Sequence, residues 1–118
     1  MTDALFNKAA YLSFCDDVGA DDAAEVLVTF FEDTGSKVNA LPSQIDRQMI
    51  KREAHSIKSS SATFGFARLS ALGRDLEAGA ETMSPADLQT TIAALQQAFD
   101  ATKTFAQQEM LGAGRAVA

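Results

Sequence analysis

The apolar residues of this chain recur every three or four positions, and nowhere do they alternate. A chain patterned this way cannot bury its apolar face as a sheet. It has to pack helix against helix. Two prolines, Pro42 and Pro85, and a few glycines cut the pattern into five segments. The first is expected over about Ala4 to Val18, with Gly19 as its stop. It carries Leu5, Ala9 and Leu12 on one stripe and Tyr11, Phe14 and Val18 on the next. The second starts near Asp21 and Asp22, acids suited to a helix N-terminus. Its stripe is Leu27, Phe30, Phe31, Val38 and Leu41, and Pro42 ends it.

The third helix is expected from about Ser43 to Phe64, with Ile50, Ala54, Ile57, Ser61 and Phe64 in line and Gly65 as C-terminal cap. The fourth covers about Phe66 to Glu81, with Leu69, Leu72, Leu76 and Ala80 on one side. Ser84 and Pro85 open the fifth as N-cap and first helical residue. Its stripe is Leu88, Ile92, Leu95 and Phe99, continuing towards Phe105. The expected fold is all-α: an antiparallel four-helix bundle with an additional short N-terminal helix packed as a cap. Residues 1–111 form one domain in this reading, and 112–118 a frayed tail.

Composition narrows the function. The chain has 118 residues, room for one core. Its net charge of −6 excludes a nucleic-acid phosphate backbone as partner. One cysteine, Cys15, excludes an intrachain disulfide and any multi-cysteine metal site. No apolar run approaches the roughly 20 residues a membrane span requires. The acid Asp3 stands where a secretion signal would be basic. We expect an intact cytoplasmic chain with no metal and no membrane partner.

His55 is the chain's one histidine. Its helical neighbours, three and four residues away, are Lys51, Arg52, Lys58 and Ser59. Ala62 follows one turn on. This face is basic and small-sided within an acidic protein. A phosphoryl group on an imidazole nitrogen brings close to two negative charges, which Lys58 and Lys51 can offset. Ser59, Ser60 and Ala62 are short enough for a partner's backbone to approach the ring. Taken alone, a histidine beside lysines on a helix is most often an ordinary solvated face.

Hairpin arithmetic adds a partner. His55 lies ten residues before Gly65, or roughly 15 Å at about 1.5 Å per residue. On the returning helix, Arg74 is nine residues and Glu77 twelve residues past the turn, both roughly level with His55. A carboxylate at Glu77 can accept a hydrogen bond from Nδ1 of His55, fix the tautomer and leave Nε2 as nucleophile. Glu77 could equally pair with Arg74 or Lys58 as a surface ion pair.

The stretch from Ala54 to Leu69 resembles the signature of histidine-containing phosphotransfer (HPt) domains. Ala54 and His55 are followed by Ile57, Lys58, small residues at Ser60 to Ala62, Gly65 and Leu69. Leu72, Gly73, Leu76 and Glu77 resemble the family's next helix, and Phe30-Phe31-Glu-Asp its upstream one. One position departs: Ser59 stands where most members have glycine, adding a hydroxyl beside the reactive histidine. The resemblance implies a phosphocarrier without kinase activity. His55 would take a phosphoryl group from a receiver-domain aspartyl phosphate, or from a hybrid or simple histidine kinase, and pass it to a response-regulator aspartate. Lys51, Arg52, Ser59 and Ala62 would form the docking face of a monomer. The carrier would need no cofactor, with Mg²⁺ held by the receiver.

Three alternatives remain at this point. A kinase dimerisation helix pair normally has an acid after its histidine and a proline soon after; here Ser56 follows, and no proline appears until Pro85. A receiver-binding module that does not transfer would have no need of both His55 and Lys58. A metal or haem bundle lacks the repeated Glu and His, or the Cys-x-x-Cys-His, that such sites require.

Overall fold

The computed structural model of the protein describes residues 5–110. They form five α-helices: α1 Lys8–Val18, α2 Ala20–Ala40, α3 Arg47–Phe64, α4 Ala67–Gly79 and α5 Pro85–Glu109. A 3₁₀ turn, Leu41–Ser43, links α2 to α3. The described residues contain no strand. Residues 112–118, expected as a tail, lie outside them, as does Ala4 at the expected start of the first helix.

The buried stripes of α2, α3 and α5 follow from the sequence pattern. Leu27, Phe30, Phe31, Val38 and Leu41 are all buried, as are the five expected residues of α3. All but the polar Ser61 join Leu69, Leu76, Leu88, Ile92, Leu95 and Phe99 in one core. α4 packs most extensively against α3, and next against α5. α2 closes the core against α5 and α3.

Four expectations about bounds and faces need correction. α1 begins at Lys8, because Asn7 caps it by accepting a hydrogen bond from the Ala10 amide. α3 begins at Arg47, because Asp46 accepts from the amides of Gln48 and Met49 while Ser43 belongs to the 3₁₀ turn. In α4 the glycine at 73 is buried, whereas Leu72 is only half-buried. In α5 the stripe runs on through Thr102 and Ala106, not Phe105. Phe105 instead meets Phe6 at 4.9 Å on the flank.

The turn between α3 and α4 organises the site. Gly65 takes the left-handed conformation, φ 81°, which a side chain would oppose. Its amide reaches the Ala62 carbonyl, and the Phe66 amide reaches Ser61, so a Schellman motif closes α3. The chain then reverses, and the flanking Phe64 and Phe66 both turn into the core. α1 hangs on this same turn: the Asn7 amide donates to the Gly65 carbonyl at 2.6 Å. A Cβ on Gly65 would overlap the Asn7 carbonyl oxygen.

Candidate functional site

α3 and α4 run antiparallel from the Gly65 turn, and three side-chain contacts near His55 reach from α3 to α4 and the turn that follows it. Nδ1 of His55 lies 2.8 Å from Oε2 of Glu77. Nζ of Lys58 lies 2.9 Å from Oε1 of the same carboxylate. One turn further from the hairpin, Lys51 pairs with Glu81 at 3.1 Å. The His55 side chain is 60% exposed, while that of Glu77 is 22% exposed. The imidazole therefore faces solvent, and the carboxylate beneath it is largely covered.

Glu77 is shared between two donors, one on each oxygen. The Lys58 ammonium first, and His55 second, hold its carboxyl below the usual glutamate range, against the opposing effect of burial. A carboxylate that stays ionised accepts from Nδ1–H of the neutral ring. That engages Nδ1 and leaves Nε2 as the ring nitrogen able to act as nucleophile. Hairpin arithmetic from Gly65 thus brings Glu77 to His55 as expected. Lys58, assigned by spacing to an incoming phosphate, rests on Glu77.

The remaining sequence candidates divide. Ser59 and Ala62 line an open groove of about 580 Å³ beside the histidine, together with Lys58, Arg74 and, from α1, Asn7 and Ala10. Lys51 is held by Glu81. Arg52 is exposed and has no ion-pair partner among the described residues. Arg74 lies level with the site but is 3.9 Å from Asp75, a loose and exposed pairing. No group of three His, Cys, Asp or Glu side chains converges among the described residues.

Sequence reasoning missed two contributions. Ser70 donates its hydroxyl to the Lys58 carbonyl at 2.9 Å, tying α4 to the turn of α3 that carries the site. Gly73 faces the backbone of Ala54 and Lys58 so closely that a Cβ would lie 3.0 Å from the Lys58 nitrogen. The signal for Gly73 was available. It sits four residues before Glu77, on the same face of the helix.

A family model described as the Hpt domain matches residues 25–105. The chain belongs to the Hpt domain family. Comparison with curated proteins and with solved structures gave no match. Hpt domains are phosphocarrier modules of histidine phosphotransfer, and they interact with receiver domains and histidine kinases in phosphorelays. The match covers α3, α4 and most of α2 and α5, while α1 lies outside it. Every residue of the His55–Lys58–Glu77 cluster therefore falls within the Hpt domain.

Proposed function

We propose that His55 is the phosphoacceptor of a phosphorelay carrier. The observation that carries this reading is the 2.8 Å contact between Nδ1 of His55 and Glu77, under a ring that is otherwise exposed. The lone pair of Nε2 attacks the phosphorus of an aspartyl phosphate on a receiver domain. A P–N bond forms, the acyl P–O bond breaks, and the receiver's carboxylate leaves with the electron pair. The imidazolium-like product keeps Nδ1–H on the Glu77 carboxylate, whose charge stabilises it. Transfer to a second receiver's aspartate reverses these bond changes.

The chain's own part is to orient the ring, offset charge and present a docking face. Lys58 is one helical turn from His55 and can move its ammonium from Glu77 to a phosphoryl oxygen. Arg52, Lys51, Ser59 and Ala62, on the histidine's side of α3, would form the face a receiver covers. Mg²⁺ and the acidic pocket belong to the receiver, and this carrier needs no cofactor or kinase activity of its own. We read α2 to α5 as the antiparallel four-helix bundle of one domain, with α1 packed on it as a cap.

The test has two stages. Incubation with a receiver domain charged with labelled phosphate should move label to this protein, and adding a second, uncharged receiver should remove it. Lys58→Ala should slow the first stage and leave the helical fold intact. A protein that binds receivers but never gains label would be a docking module, and the reading would fall.

A further inference from the structure

Ser70, Gly73 and Glu77 follow one another along the face of α4 that meets α3. Ser70 holds the carbonyl of Lys58. Glu77 holds the side chains of Lys58 and His55. Gly73, between them, has no side chain, and the three atoms nearest to where its Cβ would stand are all backbone. A Cβ there would lie 3.0 Å from the Lys58 nitrogen, 3.1 Å from its Cα and 3.2 Å from the Ala54 carbonyl oxygen.

These three atoms belong to the turn of α3 that bears His55 and Lys58. Backbone atoms cannot swing aside as a flexible side chain can. An alanine at 73 would have to push the helices apart by a few tenths of an ångström. The contacts to be stretched are the two at 2.8 and 2.9 Å that Glu77 makes.

We propose that Gly73 is a positioning residue: its missing side chain sets the α3–α4 spacing that lets one carboxylate hold both His55 and Lys58. The consequence for transfer rests on the phosphocarrier reading, but the spacing itself does not. Gly73 acts only through Glu77 and touches no reacting atom.

Gly35 supplies the control. It also lies inside a helix, but a Cβ there would meet the Phe99 ring at an ordinary 3.4 Å, at the contact of α2 with α5 and not of α3 with α4. Both substitutions to alanine favour helix formation by the same intrinsic propensity. Only the one at 73 should disturb the site.

The experiment is nitrogen-15 NMR of the His55 ring in the full chain, for wild type, Gly73→Ala, Gly35→Ala and the pair combined. Wild type and Gly35→Ala should show the neutral ring protonated mainly at Nδ1. Gly73→Ala should raise the fraction protonated at Nε2, in either background. With a charged receiver, its transfer rate should fall about fivefold to tenfold, while receiver affinity changes less than about twofold. Glu77→Asp, which shortens the reach without moving the helices, should give the same ring signature. An unchanged tautomer in folded Gly73→Ala would overturn the proposal whatever happens to transfer. So would a variant that does not fold in either background, since Gly73 would then serve packing alone. If wild type itself accepts no phosphoryl group, the phosphocarrier reading fails, and the ring signal still decides about Gly73.

Discussion

α4 and α1 both pack against α3, but by different means. α4 meets it backbone to backbone at Gly73, with a hydroxyl-to-carbonyl bond at Ser70, an ion pair at Glu77 and, just past its end, another at Glu81. α1 contributes no fully buried residue of its own. It is held by Phe14 against Phe64 at 4.8 Å and by the bond from Asn7 to Gly65. Close backbone contact fixes side chains to within a few tenths of an ångström, whereas contact through rings tolerates small slips. The histidine and its carboxylate lie across the first kind of interface. α1 only lines the neighbouring groove.

The contrast can be broken first at the hairpin. Phe66→Ala removes a fully buried ring that touches Phe30, Phe31 and Phe64. It should cost about 3–5 kcal/mol in urea unfolding. Gly65→Ala should cost about 2 kcal/mol, from the left-handed φ and the overlap with Asn7. Part of that loss should appear as undocking of α1, seen as faster amide exchange in residues 8–18. Phe14→Ala, on the half-buried side of α1, should cost only about 1–2 kcal/mol and leave the His55 tautomer unchanged. A Phe14→Ala loss as large as that of Phe66→Ala would mean that α1 is part of the core and erase the distinction.

The smallest effect concerns pH. The folded-state pKa of Glu77 is lowered, so its stabilising contribution is complete above the ordinary glutamate range. It is lost as the pH falls from there through the lowered value. A carbon-13 titration of the Glu77 carboxyl should give a midpoint below that of a glutamate in a model peptide. Lys58→Ala should raise the midpoint, because the Lys58 bond is the larger cause of the lowering. A wild-type midpoint at or above the peptide value would remove the shared clamp.

The sequence made α2, α3 and α5 as far as Phe99 legible because their stripes are long and the expected apolar members there are all buried. The pairing of His55 with Glu77 was legible for a simpler reason. Gly65 marks the hairpin, and a constant rise per residue carries the register outward from it. The start of α3 was not, because Ser43 and Asp46 are both good N-caps three residues apart, and only packing chooses between them. The α1 stripe misled because Leu12 is 49% exposed in a helix that covers the core only along one edge. Gly73 stands on the same helix face as Glu77 in the sequence, but its close approach to the Ala54 and Lys58 backbone shows only in the fold. The structure sets Ser59 on the groove wall with Lys58 and Arg74.

The central claim is that His55 carries the phosphoryl group. The most direct test compares wild type with His55→Gln after incubation with a receiver domain charged with labelled phosphate. Wild type should gain a phosphate that acid removes and base leaves in place, as an imidazole P–N bond requires. His55→Gln should gain none, with helical content unchanged. Label on the folded His55→Gln protein would contradict the account.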